Sequence, residues 1–200
     1  MRACMAHAAH ALSLALVVAL PYAACGGSTS LDGAGGGDAG PSYDGCQLPS
    51  DCVVRAASCC GQCGAATRDD IVALNKDQAS AYQSATCGDS WGCPACYMVQ
   101  DSRLVATCEP TQCKVVDLAK HASTSCTDDG DCRIRTNACC ECGGPVDQAH
   151  IIAINSSKEA DFAAVACDPG AGCPECAPSY PAEAKAVCNA GHCEVAWAVN

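Results

Sequence analysis

Aromatic residues are nearly missing from this chain: two Trp, five Tyr and one Phe among 200 residues. Without them a domain of modest size has little large apolar surface to bury, so a core of the ordinary kind is excluded as the main source of stability. Basic residues are scarce as well, 11 Lys and Arg against 22 Asp and Glu, for a net charge of −11. No basic stripe exists along which a duplex could lie, which excludes nucleic acid as a partner. The acidity serves solubility and favours cationic partners. Beyond residue 20 no apolar run is long enough to cross a bilayer. Past the leader only His121, His150 and His192 remain as histidines. No nucleophile elbow, phosphate loop or duplicated carboxylate pair accompanies them, so no catalytic constellation is assembled. The expectation is a protein that is not an enzyme and needs no cofactor and no metal.

What the chain has in abundance is cysteine, 22 in all. Ten fall in one stretch: Cys46, Cys52, Cys59, Cys60, Cys63, Cys87, Cys93, Cys96, Cys108 and Cys113. Eighty positions on, nine of these ten meet another cysteine: Cys126, Cys132, Cys139, Cys140, Cys167, Cys173, Cys176, Cys188 and Cys193. The tenth slips by one place, Cys63 answering to Cys142. The spacing predicts a tandem duplication of one cysteine-framed module, 46–118 and 126–198, joined by a linker at 119–125. Each is roughly 70 residues long, a size at which disulfides must supply what burial does not. An even count of ten fits complete internal pairing in an oxidising compartment. The connectivity stays open, since eight cysteines alone admit about 105 pairings. Adjacent cysteines such as Cys59 and Cys60, or Cys139 and Cys140, are poorly placed to bridge each other.

Other residues keep the same offset. Asp51 and Arg55 answer to Asp131 and Arg135; Ile71, Ala73 and Asn75 answer to Ile151, Ala153 and Asn155. The cysteine-free gaps, 64–86 and 143–166, predict one helix per module. Thr67 and Asp70 supply a capping-box start, and Ile71, Leu74, Ala81, Tyr82 and Ala85 recur at helical spacing. In the second gap Asp147 is the expected cap, and Ile151, Ile154, Phe162 and Val165 form the stripe. Gln78 and Lys158 interrupt both stripes at the same place. The stripe is expected to pack on the disulfide cluster. Each module should close with a β-hairpin, turning at 109–112 and at 189–192, and a further short strand is expected around Val53-Val54-Arg55 and Arg133-Ile134-Arg135. The fold class is therefore small, disulfide-rich α+β, in two tandem modules.

Several motifs carry a chemical reading. Cys93-Pro94-Ala95-Cys96 after Trp91-Gly92 has redox spacing, but the βαβ pattern of such a site is missing and Trp91 answers to Ala171, so a structural bridge is expected. Zinc would call for free thiolates or matched histidines; His150 and His192 answer to Asp70 and Gln112. Asp51 with Arg55, and Asp131 with Arg135, should form local ion pairs, while Asn75 and Asn155 should bridge backbone groups near the helix. Asn155-Ser156-Ser157 also matches a glycosylation acceptor.

At the amino terminus Arg2 precedes a nearly continuous apolar run from Ala11 to Leu20, with the proportions of a secretory core. Pro21-Tyr22-Ala23-Ala24-Cys25-Gly26-Gly27 follows. This segment resembles a bacterial lipoprotein signal, with Tyr22 where that motif usually has Leu. The resemblance implies removal of residues 1–24, lipidation of Cys25, a membrane partner through that lipid, and a place in the cell envelope. Residues 25–45, rich in Gly, read as a flexible tether. Cys126-Thr127-Asp128-Asp129-Gly130-Asp131-Cys132, followed by Cys139-Cys140, resembles part of the whey acidic protein, or four-disulfide core, family, many of whose members inhibit serine proteases. A role in binding a protein ligand, or in structure, is expected. Its competitor is a secreted inhibitor presenting a pinned loop at Lys114 to Asp117 or Gly88 to Trp91.

Overall fold

The computed structural model describes residues 42–88, 92–93, 95–96 and 98–198. The signal segment 1–24, the lipidation site Cys25, the tether up to residue 41, Asp89 to Trp91 and Pro94 lie outside them. Within the described residues the protein is a small disulfide-rich α+β structure. Its strands are β1 (Cys52–Ala56), β2 (Gly64–Ala65), β3 (Ile71–Asn75), β4 (Met98–Val99), β5 (Leu104–Cys108) and β6 (Cys113–Asp117). They continue with β7 (Cys132–Thr136), β8 (Gly144–Pro145), β9 (Ile151–Asn155), β10 (Pro178–Ser179), β11 (Ala184–Asn189) and β12 (His192–Trp197). Two helices, α1 (Ala79–Cys87) and α2 (Glu159–Ala166), follow β3 and β9. Antiparallel pairs join β1 with β3, β5 with β6, β7 with β9 and β11 with β12. Short parallel contacts join β2 with β4 and β8 with β10.

Each cysteine-free gap does hold one helix, but the helix is shorter than the gap: a turn and a strand precede it. Thr67 and Asp70 do close a capping box, with the Asp70 carboxylate accepting from the Thr67 N–H at 2.8 Å, but the box caps only one 3-10 turn, Arg68–Asp70. Asp147 likewise caps the turn Gln148–His150, accepting from the Ala149 N–H at 2.9 Å. The residues after each turn are extended. Ile71-Val72-Ala73-Leu74 and Ile151-Ile152-Ala153-Ile154 are short apolar runs rich in branched side chains, which suit a pleated ladder. Each meets a full-length partner, Cys52↔Asn75 to Ala56↔Ile71 and Cys132↔Asn155 to Thr136↔Ile151. Asn75 and Asn155 then turn the chain: their side-chain oxygens accept from the N–H of Asp77 and Ser157 at 2.9 Å. The helices begin just beyond Gln78 and Lys158, where the stripes break.

The two helices differ in what they bury. Phe162 and Val165 of α2 pack with Ile152 and Ile154 of β9, and with Val105 of β5 and Leu118. Phe162 and Ile154 are fully buried. This cluster draws on both halves of the sequence, so β5 is covered by a helix that comes some 55 residues later. Helix α1 buries no residue. Its Tyr82 is half-buried, meets Tyr43 edge-on at 5.5 Å between ring centres, and donates its hydroxyl to the Ala57 carbonyl at 2.8 Å. Packing of the stripe on the disulfide cluster is therefore corrected in both helices: α2 buries its apolar face against β9, β5 and Leu118, and α1 leaves Ala81 and Ala85 exposed. Residues 118–125 form two 3-10 turns with Leu118, Ser123 and Thr124 buried, the Thr124 hydroxyl donating to the Leu118 carbonyl at 2.7 Å.

Both hairpins fall where the turn residues predict. The second turns on Ala190 and Gly191, both left-handed at φ 50° and 84°, the geometry of a two-residue turn that matches strand twist.

Every cysteine from Cys46 to Cys193 is paired. The bridges are Cys46–Cys108, Cys52–Cys113, Cys59–Cys87, Cys60–Cys93 and Cys63–Cys96. They recur as Cys126–Cys188, Cys132–Cys193, Cys139–Cys167, Cys140–Cys173 and Cys142–Cys176. Adjacent cysteines diverge, Cys59 to the end of α1 and Cys60 to the loop beyond it. No bridge links a cysteine before residue 118 to one after it. Cys46 and Cys113 are buried with Ala73, so sulfur itself fills part of the first core.

Candidate functional site

Sulfur chemistry comes first because it is most abundant. Four groups of three cysteines, such as Cys46, Cys52 and Cys113, bring their Sγ atoms within 4.8 Å of one another. All are disulfide-bonded, and a metal ligand must be a thiolate. Cys93 and Cys96 bridge Cys60 and Cys63 rather than each other. The Cys-Pro-Ala-Cys segment is thus two anchor points, and not a dithiol pair. Two of the three histidines meet hydroxyls: His121 Nδ1 lies 2.9 Å from Ser123 Oγ, and His192 Nδ1 lies 2.9 Å from Thr124 Oγ1. The segment Lys114 to Asp117 is paired along β6, so it is not the free loop an inhibitor would present. The alternative loop, Gly88 to Trp91, falls largely outside the described residues.

The expected Asp–Arg pairs are corrected. The Asp51 carboxylate accepts the N–H groups of Gln47 and Leu48, both at 3.0 Å, and those bonds hold it below the usual carboxylate range. Asp131 accepts from the Thr127 N–H at 2.7 Å and its hydroxyl at 2.8 Å, with the same effect. Both close an acidic turn and leave the arginines to other partners. Asn75 and Asn155 clamp each half's entry: Nδ2 donates to the Gly45 carbonyl at 2.6 Å and to the Ser125 carbonyl at 2.7 Å. Asn155 is buried and both ends of its amide are engaged, a poor setting for a glycan.

The densest polar site centres on Arg135, which is 2% exposed. Its Nε donates to the Thr136 carbonyl at 2.9 Å, and Nη2 donates to the carbonyls of Ala138 at 3.0 Å and Cys139 at 2.9 Å. Nη1 donates to the Glu159 carboxylate at 3.0 Å, and the guanidinium lies 3.8 Å above the Phe162 ring. Arg133 pairs with Glu159 and, at 2.8 Å, with Glu141, whose other oxygen accepts from the Tyr180 hydroxyl. Burial lowers the Arg135 guanidinium from its ordinary value, whereas bonds from two carboxylates outweigh burial at Arg133 and raise it. At Glu141 burial pushes upward, but the bonds from Arg133 and Tyr180 prevail and hold it low. Burial, then the bond to Glu141, raise Tyr180 far above a free phenol. The network ties the end of β7, the loop after it, the start of α2 and the segment before β11 into one cluster.

None of Glu141, Glu159 or Tyr180 stands out in the sequence, because eighty positions earlier stand Gly61, Ala79 and Gln100. The only signal was Arg135 itself, a charged residue alternating with apolar ones along a strand.

Beside Arg55 the surface opens into a cavity of about 100 Å³, lined by Arg55, Ala56, Ser58, Cys59, Ala79, Tyr82, Gln83 and Thr86. A broader, shallow groove of about 690 Å³ runs along α2 between Gln47, Pro49 and Asp168. The Ser50 N–H donates to the Asp168 carboxylate across it at 2.9 Å. Comparison with protein-family models, with curated proteins and with solved structures finds no match to this chain.

Proposed function

We propose that this chain is an exported, lipid-anchored protein of a bacterial cell envelope, in which two tandem disulfide-stapled modules serve a binding or structural role and turn over no substrate. The observation that supports export and stapling is the pairing of the twenty cysteines from Cys46 to Cys193 into two sets with matching separations: 62, 61, 28, 33 and 33 residues, then 62, 61, 28, 33 and 34. Ten bridges in a chain of this size fit an oxidising compartment. The apolar run before Ala23-Ala24-Cys25 supports export, and the lipoprotein-like signal supports a lipid on Cys25 as the route to the membrane. Among the described residues no helix is long and apolar enough to cross a bilayer. Rigid, stapled surfaces carrying exposed loops suit recognition. Intact mass of the detergent-extracted protein tests the reading: residues 1–24 absent, a diacylglyceryl-type addition on Cys25, and about 20 hydrogens missing for ten bridges. A free, unmodified Cys25, or thiols throughout the two modules, would refute it.

A further inference from the structure

Arg55 and Arg135 stand eighty positions apart on corresponding strands, and their guanidinium groups are in opposite situations. Arg135 is enclosed by three carbonyls, a carboxylate and an aromatic face. Arg55 is exposed, donates to the Val54 carbonyl at 2.8 Å, and pairs with no carboxylate among the described residues. Beside it lies the cavity of about 100 Å³.

The walls of that cavity identify it. Arg135 touches Thr136, Ala138, Cys139, Glu159 and Phe162. Eighty positions earlier these are Ala56, Ser58, Cys59, Ala79 and Tyr82, and all five line the cavity at Arg55. The guanidinium cage therefore exists twice, filled in one place and open in the other. One component differs in kind: Ala79 stands where Glu159 supplies the carboxylate. Carbonyl dipoles and a ring face alone do not repay the desolvation of a guanidinium, and a paired carboxylate does much to close that gap. Arg55 accordingly stays in water.

We propose that the open cage is a binding site for a carboxylate carried by another molecule. The ligand's carboxylate takes the space above Ala79, and the Arg55 guanidinium turns in beneath it over the Tyr82 ring, reproducing the arrangement of Glu159 with Arg135. The volume is well below the roughly 300 Å³ and more of pockets that enclose whole small molecules, so beside the guanidinium it admits only the end group of a ligand, at the mouth above Ala79. The carboxylate comes from an acidic side chain or from a chain's C-terminus. This gives a ligand chemistry to the binding role proposed above and rests on that role, while remaining independent of the lipid.

The test uses the oxidised full-length chain and follows the Arg55 Nε–Hε resonance by NMR. Three probes are titrated: acetate, an amidated peptide with one Glu, and a peptide with neutral side chains and a free C-terminus. Acetate should shift Arg55 and leave Arg135 unmoved; the peptides then report the source, according to which of them shifts it. Arg55→Gln should weaken binding about tenfold, the factor carried by one charge-assisted pair. Ala79→Glu supplies the carboxylate within the chain, so it should slow exchange of the Arg55 Nε–Hε proton, raise the melting temperature and abolish the response to all three probes. Silence of Arg55 toward every carboxylate, or an undiminished response in Ala79→Glu, overturns the proposal. Because the bridge count is read on the same samples by mass, such a result would leave the stapled-module reading standing.

Discussion

Glu159→Ala should convert the closed cage into a likeness of the open one, and its effect can be sized from the geometry. The Arg135 side chain is 3% exposed and that of Glu159 is 49% exposed. Removing one partner of a fully buried pair costs about 3–5 kcal/mol, and an exposed pair contributes about 0–1 kcal/mol. This pair has one partner in each condition. Arg135 also keeps three carbonyl acceptors and the Phe162 face after the change, and Arg133 keeps Glu141. A loss of about 2 kcal/mol follows. For a folded unit of this length that is roughly 4–8 °C in melting temperature. Urea unfolding of the oxidised protein followed by circular dichroism measures it, with Glu159→Gln as the companion. The amide still accepts the hydrogen bond without the charge, so it should lose about half as much. A Glu159→Ala protein within about 0.3 kcal/mol of the parent would show that the carboxylate does not hold Arg135 in place, and the account of the cage would fail.

Phe162→Ala should be the most damaging single change in either helix, about 3–5 kcal/mol, because it opens a cavity in the cluster that also holds Val105, Leu118, Ile152 and Ile154; amide hydrogen exchange should show β5 loosening as well as α2. Stability should decline at both ends of the pH range. Glu141 is held low in the fold, so its contribution is complete above about pH 4.3, the value of an unfolded Glu, and is lost as pH falls toward its folded value. Tyr180 is raised, so its contribution is complete below about pH 10, and is lost as pH rises beyond it. Tyr180→Phe should flatten the alkaline decline in a pH series of urea midpoints and shrink the acid limb in part, because Glu141 loses the Tyr180 hydroxyl and keeps Arg133. For Cys46→Ser with Cys108→Ser, the separation of 62 residues overstates the effect, because Cys52–Cys113 still closes the chain just inside it. The ring actually opened has about 13 residues, worth about 3 kcal/mol. Removing both bridges should cost more than the two single losses added together, as a double-mutant cycle would report.

Much of the frame was legible because cysteine and turn residues act locally. The hairpins at 104–117 and 184–197, the strands around Arg55 and Arg135, and the bonding of Asn75 and Asn155 to backbone groups could all be read from the residues that make them. Ile71 to Asn75 could not, because an apolar run of four residues has no periodicity of its own; the ladder with Cys52–Ala56 decides it. Connectivity was equally closed to inspection, since only the folded chain brings Cys59 to Cys87 and Cys60 to Cys93. The shared core under α2 depends on Val105 and Leu118 reaching across from the first half, and sequence spacing does not register a contact of that kind. The cage was hidden because it is built from differences between the halves, Glu159 against Ala79 and Phe162 against Tyr82.

Crosslinks, rather than buried apolar area, are held to keep this chain folded, and thermal unfolding before and after complete reduction and alkylation tests that claim most directly. The account predicts a cooperative transition for the oxidised protein and none once all ten bridges are opened, with the far-ultraviolet signal of an unfolded chain at room temperature. A reduced, alkylated protein that melts at the same temperature and with the same cooperativity would contradict it.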